Sequence, residues 1–175
     1  MRLMVFAVTA ACAILRPDML AGRAEACVIV RPFPEDVHGA VRFYRVRYLS
    51  WYLQERESLD IPDPETGLRP LMTALVWGKP KHFHELLRRG ADPDLTDRSG
   101  NTTLIMAAQL NQPGLVLELL AAGADPYRRN FQGRSFQTYL FMVEQTRLSS
   151  RARRQKAQVV AWLFEHGIAL EAKAR

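Results

Sequence analysis

Cysteine is almost missing from this chain: Cys12 and Cys27 are the two it holds. If the chain is cleaved after Ala26, Cys27 is the only thiol left, so no intramolecular disulfide or thiolate metal cluster is expected and stability has to come from packing. Histidine is nearly as scarce, with His38, His82, His84 and His166. His82 and His84 are two apart in a helical stretch, so they point to different faces and make a poor metal pair. The sequence contains no Gly-x-Ser-x-Gly, no phosphate-cradling glycine-rich loop and no His-Glu-x-x-His. Asp92, Asp94 and Asp97 fall where a turn is expected, and aspartate in a turn bonds its own backbone. No catalytic residue, metal site or cofactor is therefore expected. No helix-turn-helix, zinc finger or RNA-binding signature accompanies the positive charge, which argues against a specific nucleic acid. The run Leu3–Leu15 carries no charge, but its thirteen residues fall short of the ~20 that a membrane-spanning helix needs.

That short run has another use. Arg2 precedes it, and Ala24-Glu25-Ala26 follows as an Ala-x-Ala cleavage site before Cys27. This is the layout of a secretory signal peptide. Residues 1–26 are accordingly expected to be removed and the protein exported, periplasmic or secreted. The alternatives are a lipid anchor at Cys12 or Cys27, or a membrane-anchored or cytoplasmic protein if the segment is not cleaved.

Between residues 63 and 129 one stretch is written twice. Gly67 and Gly100, Leu71 and Leu104, Ala74 and Ala107, Pro80 and Pro113, Leu86 and Leu119, and Gly90 and Gly123 are each 33 apart. A fixed period of that length is the mark of a helical repeat array. The residue types agree. Thr102 and Thr103 can cap a short helix, which Leu104, Ala107 and Ala108 give a small-residue face. Pro80 and Pro113 suit the first position of a second helix. Leu115, Val116, Leu119 and Leu120 make that second helix apolar along one stripe. Gly90 and Gly123 then stand as left-handed caps. One such helix pair cannot bury its stripe; stacked neighbours can.

The endings Leu86-Leu87-Arg88-Arg89-Gly90-Ala91-Asp92-Pro93 and Leu119-Leu120-Ala121-Ala122-Gly123-Ala124-Asp125-Pro126 resemble the ankyrin repeat family, over residues 63–170. The family's Thr-Pro-Leu-His start is altered, to Arg69-Pro70-Leu71-Met72 and Thr102-Thr103-Leu104-Ile105. Its inner-helix histidine is missing from both copies, and with it a hydrogen bond between neighbouring repeats. The resemblance implies an all-α solenoid of stacked helix–turn–helix units with modest stability.

Three repeats are expected, at about 63–96, 97–129 and 130–170, within a domain over 63–175. In the third, Gly133 keeps the turn, but Gly123 and Gly167 are 44 apart, so about 11 residues are added near 144–156. They are expected to lengthen the helices or to form a loop. Upstream, 35–59 reads as one helix, with Val41, Tyr44, Tyr48 and Trp51 on one strip and Val46, Leu49 and Leu53 on another. The region 27–62 would then be an N-terminal cap over the open end of the stack.

Positive charge is concentrated late. From Arg128 to Lys156 eight basic residues face Glu144 alone, whereas the whole chain carries +6. For the family, the implied binding surface is made by turn tips and inner helices. Here it would comprise Trp77, Arg98, Asn101, Leu110, Arg128, Arg129, Phe131 and Arg134, with a basic patch of Arg151, Arg153, Arg154 and Lys156. The expected function is protein binding by a monomer, to an acidic partner if the patch takes part. The rival readings are peripheral membrane or anionic-ligand binding through 128–156, and a small accessory enzyme.

Overall fold

Pro70, Pro80 and Pro113 each open a helix, where proline's missing N–H costs nothing and its fixed φ is already helical. The computed structural model describes residues 36–53, 59–143 and 148–171, without the side chain of Trp51. The signal peptide read at 1–26 lies outside them. Eight helices follow in order among the described residues: α1 (Val37–Phe43), α2 (Val46–Tyr52), α3 (Pro70–Val76), α4 (Pro80–Arg88), α5 (Thr103–Gln109), α6 (Pro113–Ala121), α7 (Phe136–Met142) and α8 (Ser150–Glu165). The odd-numbered helices form an inner row in which α1, α3, α5 and α7 pack in succession. The even-numbered ones lie outside, with α2 on α4 and α6 on α8. Antiparallel bridges Thr96–Thr102 and Arg129–Ser135 close hairpin turns between pairs. The fold is the expected all-α solenoid.

Local chemistry accounts for the helix ends. The Thr102 hydroxyl accepts from the Ile105 amide, and Ser135 and Ser149 cap α7 and α8 in the same way. Gly90 and Gly123 follow α4 and α6 at φ +87° and +93°, the left-handed closing positions expected of them. Between rows lies one continuous apolar core, in which Leu71, Phe83, Leu86, Leu104, Leu119, Phe136 and Leu163 are fully buried.

Two expectations need correction. The single helix over 35–59 is broken: Tyr44 is extended at φ −111°, ψ 168°, and α1 and α2 form a helix pair like the others. Its inner-to-outer turn is one residue shorter, because it lacks the left-handed residue that Gly78 and Asn111 supply in the next two pairs. The break is held from outside. His82, buried on α4, donates through Nε2 to the carbonyl of Tyr44 at 3.0 Å. The described residues thus form four stacked pairs, the first of them where a single capping helix was expected.

The second correction concerns the bond between repeats that the missing histidines would have removed. One is present at another place. His38, 1% exposed in α1, donates from Nε2 to the Ile61 carbonyl at 2.8 Å and pairs through Nδ1 with the Thr73 hydroxyl of α3 at 2.8 Å.

The described part of the late insertion is mostly helix. α8 has 16 residues against nine in α4 and α6, so most of the added length extends the last outer helix at its start. Gln155 of this extension packs over Gly114 of α6. After α8 the chain returns to the start of α7. Gln137 donates to the Ala169 carbonyl and accepts from the Glu171 amide, while the Glu171 carboxylate accepts from Ser135, Thr138 and Arg129.

Two carboxylates carry a pH dependence. Burial alone would raise the pKa of Asp63, but amide and hydroxyl bonds from Thr66, the Glu65 amide and the charge of Arg42 outweigh it, and the value falls to about 2. Bonds from Arg88 and Arg89 bring Glu85 to about 2, with Ser50 of α2 as a further donor. Both pKa values are depressed in the fold, so the unfolded chain takes up these protons first. The stabilisation is present above pH ~4.5 and is lost as pH falls towards ~2, on the order of 2 kcal/mol for each group. Urea unfolding measured between pH 5 and pH 2 checks this. Asp63→Asn and Glu85→Gln should each flatten the profile, and an unchanged slope in both would contradict it.

Candidate functional site

The expected turn-tip residues separate into those that reach solvent and those that hold the tips together. Each tip is built on one side chain that accepts from its own turn. Asp63 Oδ1 takes the amides of Glu65 and Thr66, Asp97 Oδ1 those of Ser99 and Asn101, and Asn130 Oδ1 those of Gln132 and Arg134. Asp92 is likewise a turn acceptor, for the Asp94 amide, whereas Asp94 does not bond its own turn but accepts from the Asp125 amide of the next one. Among the described residues no three His, Cys, Asp or Glu side chains are grouped as metal ligands would be.

Neighbouring tips are tied side by side. Arg98 lies over Gly67 and donates to the Pro64 carbonyl at 2.6 Å; 33 residues on, Phe131 lies over Gly100, and its amide donates to Ser99. Both glycines have positive φ, and a Cβ on Gly100 would sit 2.7 Å from the Phe131 ring and 3.0 Å from its backbone nitrogen. Gly133, at φ +70°, has nothing within 4 Å. Gly133→Ala should therefore cost about 1 kcal/mol from backbone strain alone, while Gly100→Ala should cost clearly more because the next tip must move as well. Equal losses in denaturant unfolding would show that tip packing is not what the glycine protects.

Several expected contact residues are corrected. Asn101 is buried. Its amide nitrogen donates to Asp97 at 3.0 Å, and its oxygen accepts from Gln109 at 3.2 Å and from Asn130 at 2.9 Å. Asn130 also donates to the Tyr139 hydroxyl. Asn101 is thus inside a polar network joining two tips and cannot touch a partner. Lys156 is buried too: it faces inward where α8 crosses the end of α7, donates to the Val143 carbonyl at 3.2 Å and lies 5.3 Å from the centre of the Phe141 ring. Arg129 is engaged with Glu171 and with the Gly133 carbonyl. Arg128, Arg134 and Phe131 remain exposed, Phe131 to 81%.

Nor does the stretch 128–156 make one basic patch. Arg128, Arg129 and Arg134 precede α7, whose start is bonded to Glu171 beyond α8. Arg151, Arg153 and Arg154 lie at the other end, near Val143, exposed and unpaired with any described residue. The two groups occupy opposite ends of the last helix pair.

What the inner helices share is an apolar end. Phe43 ends α1, Val76 and Trp77 end α3, Leu110 caps α5 and Met142 ends α7; they are 53%, 48%, 48%, 44% and 66% exposed. Because the inner helices stack in order, these side chains form a row across all four pairs. Phe43 and Trp77 meet edge to face at 6.1 Å between centroids, and the Arg42 guanidinium covers Trp77 at 5.7 Å. Arg42 is itself held by Asp63 at 2.5 Å. Trp77 and Leu110 were legible as equivalent positions. Phe43 was not, because α1 was hidden inside the single helix read there.

A solenoid of four helix pairs, with hairpin tips and an exposed inner-helix row, defines a helical repeat protein. The chain belongs to the ankyrin repeat family: a family model described as ankyrin repeats, in three copies, matches residues 37–130. That match begins at α1, inside the stretch read as a cap. Protein PhlB of Serratia liquefaciens is 34% identical over 76 residues, covering 43% of this chain and 34% of that protein. NF-kappa-B inhibitor delta of Mus musculus is 34% identical over 83 residues, 46% of this chain and 25% of the other. The chain thus spans about a third or less of these relatives' lengths. The ankyrin repeat domain of Bcl-3 superposes with a TM-score of 0.58 at 23% identity, over 68% of this chain and 49% of that one, which shows the shared fold. Ankyrin repeats commonly mediate protein–protein interaction.

Proposed function

We propose that this protein binds another protein, through the apolar row Phe43, Val76, Trp77, Leu110 and Met142 and the exposed hairpin residues Arg98, Phe131 and Arg134. The observation that carries the reading is the row itself. Each of four inner helices exposes an apolar group at the same end, and Val76, Trp77, Leu110 and Met142 stay 44–66% exposed after the solenoid has packed. Aligned exposed apolar groups mark an interaction surface, and tryptophan and arginine are among the residue types enriched at binding hot spots. The fitting partner presents apolar side chains to the row and acidic ones to the hairpin arginines. No catalytic step belongs to this function, and the binding unit is one copy of the chain.

Export is part of the proposal, supported by the uncharged run before Ala24-Glu25-Ala26. Mass spectrometry of the native protein should find a mature N-terminus near Cys27; an intact Met1 in the cytosol would sink it. For binding, proteins captured by the wild-type chain from its own host are compared with those captured by Trp77→Ala/Leu110→Ala. Loss of an anchor pair should weaken a specific partner about tenfold or more, with the melting temperature nearly unchanged because both side chains are half exposed. Undiminished capture by the double variant would rule out the row.

A further inference from the structure

The inner-to-outer turns of the first two helix pairs carry the same charge pattern. Arg45 and Arg47 flank Val46 at the start of α2, and Lys79 and Lys81 flank Pro80 at the start of α4. All four line one cleft of about 490 Å³, with Val46, Gly78, Pro80 and His82 between them and no carboxylate among the described residues of its wall. None of the four is ion-paired with a described residue. Arg42 pairs with Asp63, Arg88 and Arg89 with Glu85, and Arg129 with Glu171, while Arg69 and the buried Lys156 are met by backbone carbonyls; what sets the four cleft cations apart is that they share one concavity. Four like charges around one concavity repel one another, and an anion that enters relieves the repulsion.

We propose that this cleft binds a compact, multiply charged phosphate group, either on a soluble molecule or on a lipid headgroup. Two guanidinium forks and two ammonium groups supply the donors that tetrahedral phosphate oxygens accept. A single carboxylate would neutralise only one of the four charges, whereas a pyrophosphate-like group can meet several at once. His82 sets the geometry. Burial, and then the charge of Lys79, lower its pKa against the opposing effect of its bond to the Tyr44 carbonyl. Through its bond to the Tyr44 carbonyl it holds the Arg45 turn against α4. The cleft adjoins the apolar row, since Gly78 follows Trp77 directly, but it is lined by none of the row's side chains and the proposal does not depend on the protein-binding reading.

The test titrates isotope-labelled full chain with inorganic pyrophosphate at about 0.15 M salt, where exposed charges are screened beyond ~8 Å. Saturable amide shifts are expected at Arg45–Arg47 and Gly78–His82. Lys79→Gln/Lys81→Gln should weaken them about tenfold or more, and Arg151→Gln/Arg153→Gln/Arg154→Gln should leave them intact. If the lysine pair fails to fold, Arg45→Gln/Arg47→Gln replaces it. A second arm sediments the chain with phosphatidylcholine vesicles with and without phosphatidic acid. Binding that needs phosphatidic acid and is displaced by pyrophosphate places the phosphate on a lipid; pyrophosphate shifts without vesicle binding place it on a soluble ligand. Shifts spread equally over Arg128, Arg151 and Arg153, or vesicle binding indifferent to both cleft variants, would overturn the site.

Discussion

Leu119→Ala is expected to destabilise the fold by about 2–5 kcal/mol, the range for a leucine truncated in a packed core. Leu119 is fully buried on α6, whose neighbours are the inner helix α5 and the extended α8. Packing density leaves little room for collapse around a lost isobutyl group. The α8 extension, with Gln155 already against Gly114, limits how far the outer row can close. Leu104→Ala on α5 should fall in the same range, since Leu104 is 1% exposed in the middle of the inner row. Domains of this size have only ~5–15 kcal/mol in total, so either variant should melt well below the wild type in calorimetry. A melting temperature unmoved by both would mean that the two rows do not share one core.

His38→Ala should be the most damaging single change at a polar position. His38 is, with His82, one of two buried histidines that link the first helix pair to the second, and the one that bonds two groups at once. Truncation leaves the Thr73 hydroxyl and the Ile61 carbonyl without their partner, at about 1–3 kcal/mol for each buried group, and opens a cavity beside them. The readout that separates this role from general packing is local. Hydrogen exchange should accelerate in α1 and α2 while α5 and α6 keep their protection, because contacts in a solenoid run only between neighbours. Uniform acceleration would show that the first pair is not a separable end unit.

His38 also shows where sequence reading stops. The second and third pairs announce themselves, because Pro80, Pro113, Gly90, Gly123 and Thr102 are local signals whose chemistry acts within a few residues. The first pair has none of them: Val46 stands where the prolines stand, no glycine or asparagine occupies its inner-to-outer turn, and its apolar residues continue through the break. What breaks the helix is a donor from another pair, His82 on the Tyr44 carbonyl, which local pattern cannot reveal. The same holds for the site. Trp77 and Leu110 could be found by period, and Arg98, Phe131 and Arg134 by their place in the turns. Asn101 and Lys156 were misplaced because their burial is decided by partners far along the chain or beyond the turn, Asn130 and Gln109 for one and the Val143 carbonyl for the other. The opposite placement of the two arginine groups follows from α8 running back past α7, and sequence adjacency conceals it.

Site-specific photocrosslinking in the producing cell tests the binding face most directly. A photoreactive residue is placed in turn at Leu110, at Met142 and, as a control on the outer face of α8, at the exposed Ala161. If the apolar row is the binding surface, the probes at 110 and 142 give an adduct with the same protein and the probe at 161 gives none. An adduct formed from 161 while 110 and 142 stay uncoupled would contradict it.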